Sequence, residues 1–322
     1  MAPAFIRPFA AADLPAAARL LAQRHRRHRR TSPLLSPRYE DEATTLAEVS
    51  NAWETEGASG CVALDGDEVV GYLLGAPKTS TVWGPNIWVE AAGMATRDPE
   101  TMRDLYGTAA TRWYDEGKTA HYALIPSDDV ALIDAWFRLG FGAQHAHAVM
   151  TPPTEPPVVP GGLAVRRAGR RDLDALAELD LALPAHQGLS PVFSAGPVGT
   201  LEEARQEWEE DIDSDYYASF VAERNGQVIG AAVGCPLEKS STHQGLSRPE
   251  HSAILGFAAV FPDARGSGAG QALGRAVGRW AADEGFETLV TDWRVTNLLS
   301  SRTWPKLGYR QTFLRVHRHL GY

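Results

Sequence analysis

Short apolar stretches set off by polar turns give this chain its rhythm. Gly60–Leu64 and Glu68–Leu74 flank Asp65-Gly66-Asp67, and Ser219–Glu223 and Gln227–Gly234 flank Arg224-Asn225-Gly226. Asp-Gly and Asn-Gly supply the positive φ that a tight turn needs, so both segments are predicted hairpins. Short strands are expected around Phe5–Arg7 and Leu163–Arg167, each followed by an Asp-Leu helix start with Asp13 or Asp172 as the cap. Toward the C-terminus the pattern predicts a strand at Ala253–Val260, a helix at Ala269–Glu284 and a strand at Thr288–Trp293. A helix at Leu299–Lys306 and a strand at Tyr309–His317 complete it. Strands and helices mixed with hairpins place the chain in the α/β class (an α+β mixed sheet).

The same plan occurs twice. Ile6-Arg7 through Asp13-Leu14 and Val165-Arg166 through Asp172-Leu173 lie 159 residues apart, as do the hairpin residues Gly71 and Gly230. Leu139-Gly140-Phe141 and Leu307-Gly308-Tyr309 lie 168 apart, and so do Trp136 and Trp304. Ordered matches with one small insertion indicate a duplication. Thr151–Gly162, TPPTEPPVVPGG, cannot form a helix or a central strand and reads as a stiff linker. The expected division is 1–150, a linker at 151–162, and 163–322.

Composition narrows the function classes. No apolar run nears the ~18 residues of a membrane span, and the start of the chain lacks the apolar core of a signal peptide, so a cytoplasmic protein with no membrane partner is expected. Two cysteines allow neither a disulfide framework nor a four-ligand zinc site. The net charge of −9 disfavours general nucleic-acid binding and is compatible with a cationic small substrate. The run His25–Arg30, HRRHRR, is expected to be a solvated helix face. His317 and His319 alternate on the last strand but are too few for a metal site, and no metal is expected.

The chemistry concentrates after the strand Ala253–Val260. Phe261-Pro262-Asp263-Ala264-Arg265-Gly266-Ser267-Gly268-Ala269-Gly270 runs from a strand end into a helix start. Glycines there let backbone N–H groups converge on an anion, the helix N-terminus adds its dipole, and Arg265 adds a charge. The segment lacks the Gly-Lys-Ser/Thr of a Walker loop and the spacing and position of a dinucleotide fingerprint.

Val260-x-Pro262-x-x-Arg265-x-x-Gly268-x-Gly270 resembles the acyl-CoA pyrophosphate loop of the GNAT (GCN5-related N-acetyltransferase) superfamily. Asn297-x-x-Ser300-x-x-x-Trp304-x-x-x-Gly308-Tyr309 is similar to that family's closing segment. The resemblance covers 163–322, with a weaker form over 1–150, and implies two tandem GNAT-like domains. It implies an acetyl-CoA (or other acyl-CoA) co-substrate and direct attack by a primary amine of a small molecule. The pantetheine would lie along Ala258, Ala259 and Val260, whose backbone would hold the oxyanion. The pyrophosphate would lie on Arg265, Gly266, Ser267, Gly268, Ala269 and Gly270, with Asn297 and Ser300 contacting the CoA arm. The first half departs from this. Arg97 matches Arg265, but Asp98-Pro99-Glu100-Thr101-Met102 stand where the glycines should be. That half is expected to be a degenerate copy without a CoA loop.

The acid and base are less legible. The family often has a Tyr at the position of Trp304, and an indole N–H donates a hydrogen bond without being a useful acid. A packing role for Trp304 is favoured, since Trp136 holds the matching place. The strand ahead of the loop has no carboxylate. Asp292 and His251 (with Glu250) stand as candidate bases, and Pro184–Tyr217 and Glu238–Glu250 as the acceptor wall. Two other readings stay open: a non-catalytic acyl-CoA-binding module, and a GNAT-fold transferase using another donor such as an aminoacyl-tRNA. Homodimer formation is also left open.

Overall fold

A computed structural model of the chain describes residues 4–321 other than Val158, Ala195 and Pro197, with Thr81 described by its backbone alone. Two compact units form. The first comprises Met1–Ala146, Gln244–Arg248 and Gln311–Tyr322; the second comprises His147–His243 and Pro249–Arg310. Neither is a contiguous half. The C-terminal strand folds into the first unit, and the end of the strand that precedes the linker folds into the second.

In the first unit the order is β1 (Phe5–Pro8), α1 (Leu14–Thr31), α2 (Glu42–Glu54), β2 (Ser59–Asp65) and β3 (Glu68–Gly75). Then come β4 (Asn86–Val89), β5 (Met94–Thr96), α3 (Thr101–Asp115), β6 (Ala120–Pro126), α4 (Val130–Arg138) and β7 (Gly142–Met150), whose last residues belong to the second unit. Strands β1, β2, β3 and β5 form an antiparallel sheet. Strand β4 pairs parallel with β6. The core joins Leu21, Tyr39, Tyr72 and Leu124 with Phe313 from the far end of the chain.

The second unit runs β8 (Ala164–Arg167), α5 (Leu173–Gln187), α6 (Leu201–Asp211), β9 (Ala218–Arg224) and β10 (Gln227–Pro236). It continues with β11 (Ser252–Val260), α7 (Ala269–Asp283), β12 (Thr288–Arg294) and α8 (Leu298–Thr303). The chain's last strand, β13 (Arg310–His319), pairs antiparallel with β6 in the first unit over Phe313–His319. Strands β8 to β11 are antiparallel neighbours. One sheet face carries α5 and α6 through Leu176, Leu179, Trp208, Val221 and Ala231. The other carries α7 so closely that a Cβ on Gly234 would lie 2.7 Å from Val277. The proline-rich segment is laid on α7: a Cβ on Gly278 would lie 2.9 Å from Pro153.

The repeated start of each unit has a different cause from the one expected. Asp13 and Asp172 do not cap α1 and α5 with their side chains. Each carboxylate turns back three residues instead, accepting from the N–H of Ala10 or Gly169 at 2.9 Å. Each also takes two bonds from a guanidinium, Arg7 at 2.8 and 2.6 Å and Arg166 at 2.7 and 2.8 Å. These guanidiniums hold both carboxyls below the usual range. The HRRHRR run is a solvated face only in part: Arg26, Arg27 and Arg30 are exposed, but the other side of the helix turns inward. Arg24, His25 and His28 are buried, while Arg29 pairs with Glu40.

Candidate functional site

The site begins where two strands part. Strand β11 pairs parallel with β12 at Ser252↔Thr288, Ala253↔Leu289 and Ile254↔Val290 and no further. On its other side the register with β10 shifts: Val233 faces Phe257 and Gly234 faces Leu255, so Gly256 is unmatched. Such a bulge bends its strand. Beyond it β11 follows β10 and leaves β12. Alternate backbone groups of its last residues then point into the opening rather than into a ladder.

A cavity of about 330 Å³ fills that opening. Its wall contains Ala258, Ala259, Val260, Arg265, Gly266, Ser267, Gly268, Ala269, Gly270, Asn297, Ser300 and Trp304. Residues spread over 47 positions of sequence are thus brought to one wall. Gly266 and Gly268 hold φ of +81° and +87°, a region costly for residues with a Cβ. Gly268 is tied twice, because a Cβ there would lie 2.8 Å from Pro160. It is the N-cap of the fifteen-residue α7 and offers no side chain to the first-turn N–H groups. Uncapped first-turn amides, the helix dipole behind them and a guanidinium are groups that suit a polyanion chemically.

The opposite rim is α8. Asn297 is buried and caps this helix, its Oδ1 accepting from Leu299 N at 3.1 Å and Ser300 N at 3.4 Å. The oxygen is thereby oriented, which leaves the amide NH2 as the donor end. Trp304 is 7% exposed. Its Cζ3 would lie 3.2 Å from a Cβ on Gly274, so the indole packs on α7 and shows an edge to the cavity. Helix α5 adds Ala182, Leu183 and His186, and His186 Nε2 lies 3.5 Å from Asn297 Oδ1.

Two expected acid–base residues do not reach this wall. Asp292 is absent from it; its Oδ2 sits 3.1 Å from Nε2 of the buried His243, whose ring packs 4.3 Å from that of His147. His251 immediately precedes β11 and is exposed, whereas the cavity lies at the other end of that strand. Six residue steps of strand lead from Ser252 to Ala258, a run of about 20 Å. Cys61 and Cys235 are buried away from the cavity, and burial pushes their thiols up to about 12 and about 11. Neither suits a covalent acyl intermediate.

Residues 185–309 match the model of the acetyltransferase (GNAT) family. Aminoglycoside N(6')-acetyltransferase type 1 of Salmonella typhimurium is 28% identical over 106 residues, 32% of this chain and 70% of that protein. Residues 185–309 thus carry a GNAT acetyltransferase domain. A GCN5-related N-acetyltransferase from Sphaerobacter thermophilus superposes with a TM-score of 0.56 at 17% identity, covering 100% of this chain and 98% of the other. A glucosamine N-acetyltransferase region of a fungal β-N-acetylglucosaminidase covers 98% of this chain and 38% of its own, with a TM-score of 0.52 at 14% identity. At these identities the likeness is one of fold, and it extends over both GNAT-like units.

The corresponding segments of the first unit are built differently. The strand that should match β11 is broken into β4 and β5 by a 3-10 turn at Ala91–Gly93. Its carbonyls are occupied: Arg24 donates to those of Ala91 and Met94 at 2.7 and 2.5 Å, and Tyr72 to that of Ala92 at 2.7 Å. Asp98 accepts from Glu100 N at 3.0 Å, Glu100 pairs with Arg103 and Arg138, and Arg97 with Glu68. Met102 is fully buried where Gly270 stands in the other unit.

His186 was not singled out in the sequence, although it falls inside the segment Pro184–Tyr217 expected to wall the acceptor. It lies in the last turn of α5, far along the chain from the loop, and the packing of α5 against β11 brings it to the site. Among the described residues, no helix is long and apolar enough to cross a membrane, and no His/Cys/Asp/Glu group is arranged for a metal.

Proposed function

We propose that the second unit transfers an acetyl or other acyl group from acyl-CoA to a primary amine of a small molecule, in a ternary complex. The observation that carries this reading is the single cavity joining the loop Arg265–Gly270, the freed edge Ala258–Val260 and the cap Asn297. The loop amides and Arg265 take the pyrophosphate. The edge of β11 takes the pantetheine and lends an N–H to the developing oxyanion. Asn297 and Ser300 hold the arm, and proximity supplies much of the rate. The residues fit this co-substrate: the receptor is cationic, and its close-approach points are glycines.

The first unit, on this proposal, is a degenerate copy that binds no CoA. The acceptor enters from the side of 184–217. The net charge of −9 favours a cationic amine, and the relative that acetylates aminoglycosides points to the same class. We place the reaction in the cytoplasm. The test is product formation: the full chain is incubated with acetyl-CoA and a panel of aminoglycosides, polyamines and amino sugars, and products are read by mass spectrometry. An N-acetylated amine with one CoA released per product is expected. Acetyl-CoA binding without any product would instead mark a binding module.

A further inference from the structure

We infer that His186 is the catalytic proton carrier of this transfer, an inference that rests on the acyl-CoA reading of the cavity. A transfer from thioester to amine must move one proton from nitrogen to sulfur. The wall supplies few groups able to do so. Among the described residues that line it, His186 is the one carrying an imidazole, carboxylate, phenol or thiol. The other polar side chains are two guanidiniums, Arg265 and Arg302, together with hydroxyls, amides and the indole of Trp304. Guanidinium does not release its proton in this range, and hydroxyls and indoles do not take one up. Imidazole does both near neutral pH.

The placement suits the role. His186 ends α5 on the rim that Asn297 forms, 3.5 Å from the amide oxygen. That contact holds one ring nitrogen toward the arm-binding side and leaves the other for the acceptor. The alternatives are spoken for: Asp292 is engaged by His243, and Trp304 is packed against Gly274.

The step balances. The amine nitrogen bonds to the thioester carbonyl carbon. The C–S bond breaks and its electron pair leaves on sulfur. The proton shed by nitrogen passes to the imidazole, and the imidazolium returns it to the thiolate. The products are an amide and free CoA thiol, with no net proton gained or lost.

The test compares the wild type with His186→Gln and His186→Ala, all as the full chain. Thiol release from acetyl-CoA is followed with kanamycin, spermidine, glucosamine or water alone as the nucleophile. We expect kcat to fall about 100-fold in both variants, with KM for acetyl-CoA changed less than threefold. The limb of the pH–kcat profile in the imidazole range should vanish, and added imidazole should restore part of the His186→Ala rate. Should His186→Ala fail to fold, the isosteric His186→Gln carries the test. Unchanged kcat and pH profile in His186→Gln would overturn the inference, as would a loss confined to KM. A wild type that binds acetyl-CoA yet releases no thiol to any nucleophile would overturn the transferase reading first, and this step with it.

Discussion

Helices α3 and α7 are fifteen residues each and stand 168 positions apart, yet the two helix starts have opposite chemistry. Before α7 a glycine in the left-handed region opens the backbone, and the first amides face a cavity. Before α3 a glutamate in the helical region takes that place, and the neighbouring side chains bond one another. The strands ahead of them differ in the same sense. The end of β11 leaves β12 and presents its edge, whereas the matching backbone of the first unit is folded into a turn and tied by Arg24 and Tyr72. Duplication preserved the scaffold and the Arg–Asp pair that opens each unit. It did not preserve the loop: Asp98, Pro99, Glu100, Thr101 and Met102 stand where the second unit has Gly266, Ser267, Gly268, Ala269 and Gly270.

The comparison breaks most sharply at Gly268. Gly268→Glu installs the first unit's residue at a position with φ of +87°, beside Pro160, and adds a negative charge where phosphate is expected. Acetyl-CoA affinity should fall by at least ~100-fold, about 3 kcal/mol, in a calorimetric titration. A near-normal affinity would mean that the loop is not the donor site.

Acid should act next most strongly, and on the first unit. Burial lowers His25 to about 4 and His28 to about 3, the neighbouring Arg24 adding to both shifts. Unfolded histidines titrate near pH 6.5. Between about pH 6.5 and 4 the unfolded chain therefore binds more protons, so stability rises with pH there and is lost as pH falls. Thermal unfolding followed from pH 7 down to 4.5 should show a falling midpoint. A flat profile would contradict the burial of these rings.

Arg24→Ala leaves the carbonyls of Ala91 and Met94 buried and unpaired. It should cost about 2–3 kcal/mol in chemical denaturation, without creating a second donor site, since Pro99 and Met102 still close the loop. The smallest effects come from the matched arginines. Arg265→Ala should weaken acetyl-CoA about tenfold, while Arg97→Ala, which loses an exposed pair with Glu68, should change stability by less than ~0.5 kcal/mol and leave affinity unchanged.

Much of this was legible in the sequence where the cause is local. Both hairpins fall on β2–β3 and β9–β10, and the strand, loop and helix of the site fall on β11 and α7. The loop residues could be named because glycine at a helix start is a local signal. What escaped was set by packing between distant segments. The last strand pairs with β6 rather than closing the second half, and no local pattern specifies a partner nearly two hundred residues away. His25 and His28 were expected in water because charge dominates that stretch, but one side of α1 turns inward. Asp292 was expected at the cleft from its strand position, before its engagement by His243 could be seen.

The measurement that tests the central claim most directly is the stoichiometry of acetyl-CoA binding to the full chain by calorimetry. The account predicts one site per chain, removed by Gly268→Glu. Two sites would contradict the closure of the first unit, and no binding would contradict the acyl-CoA reading of the cavity.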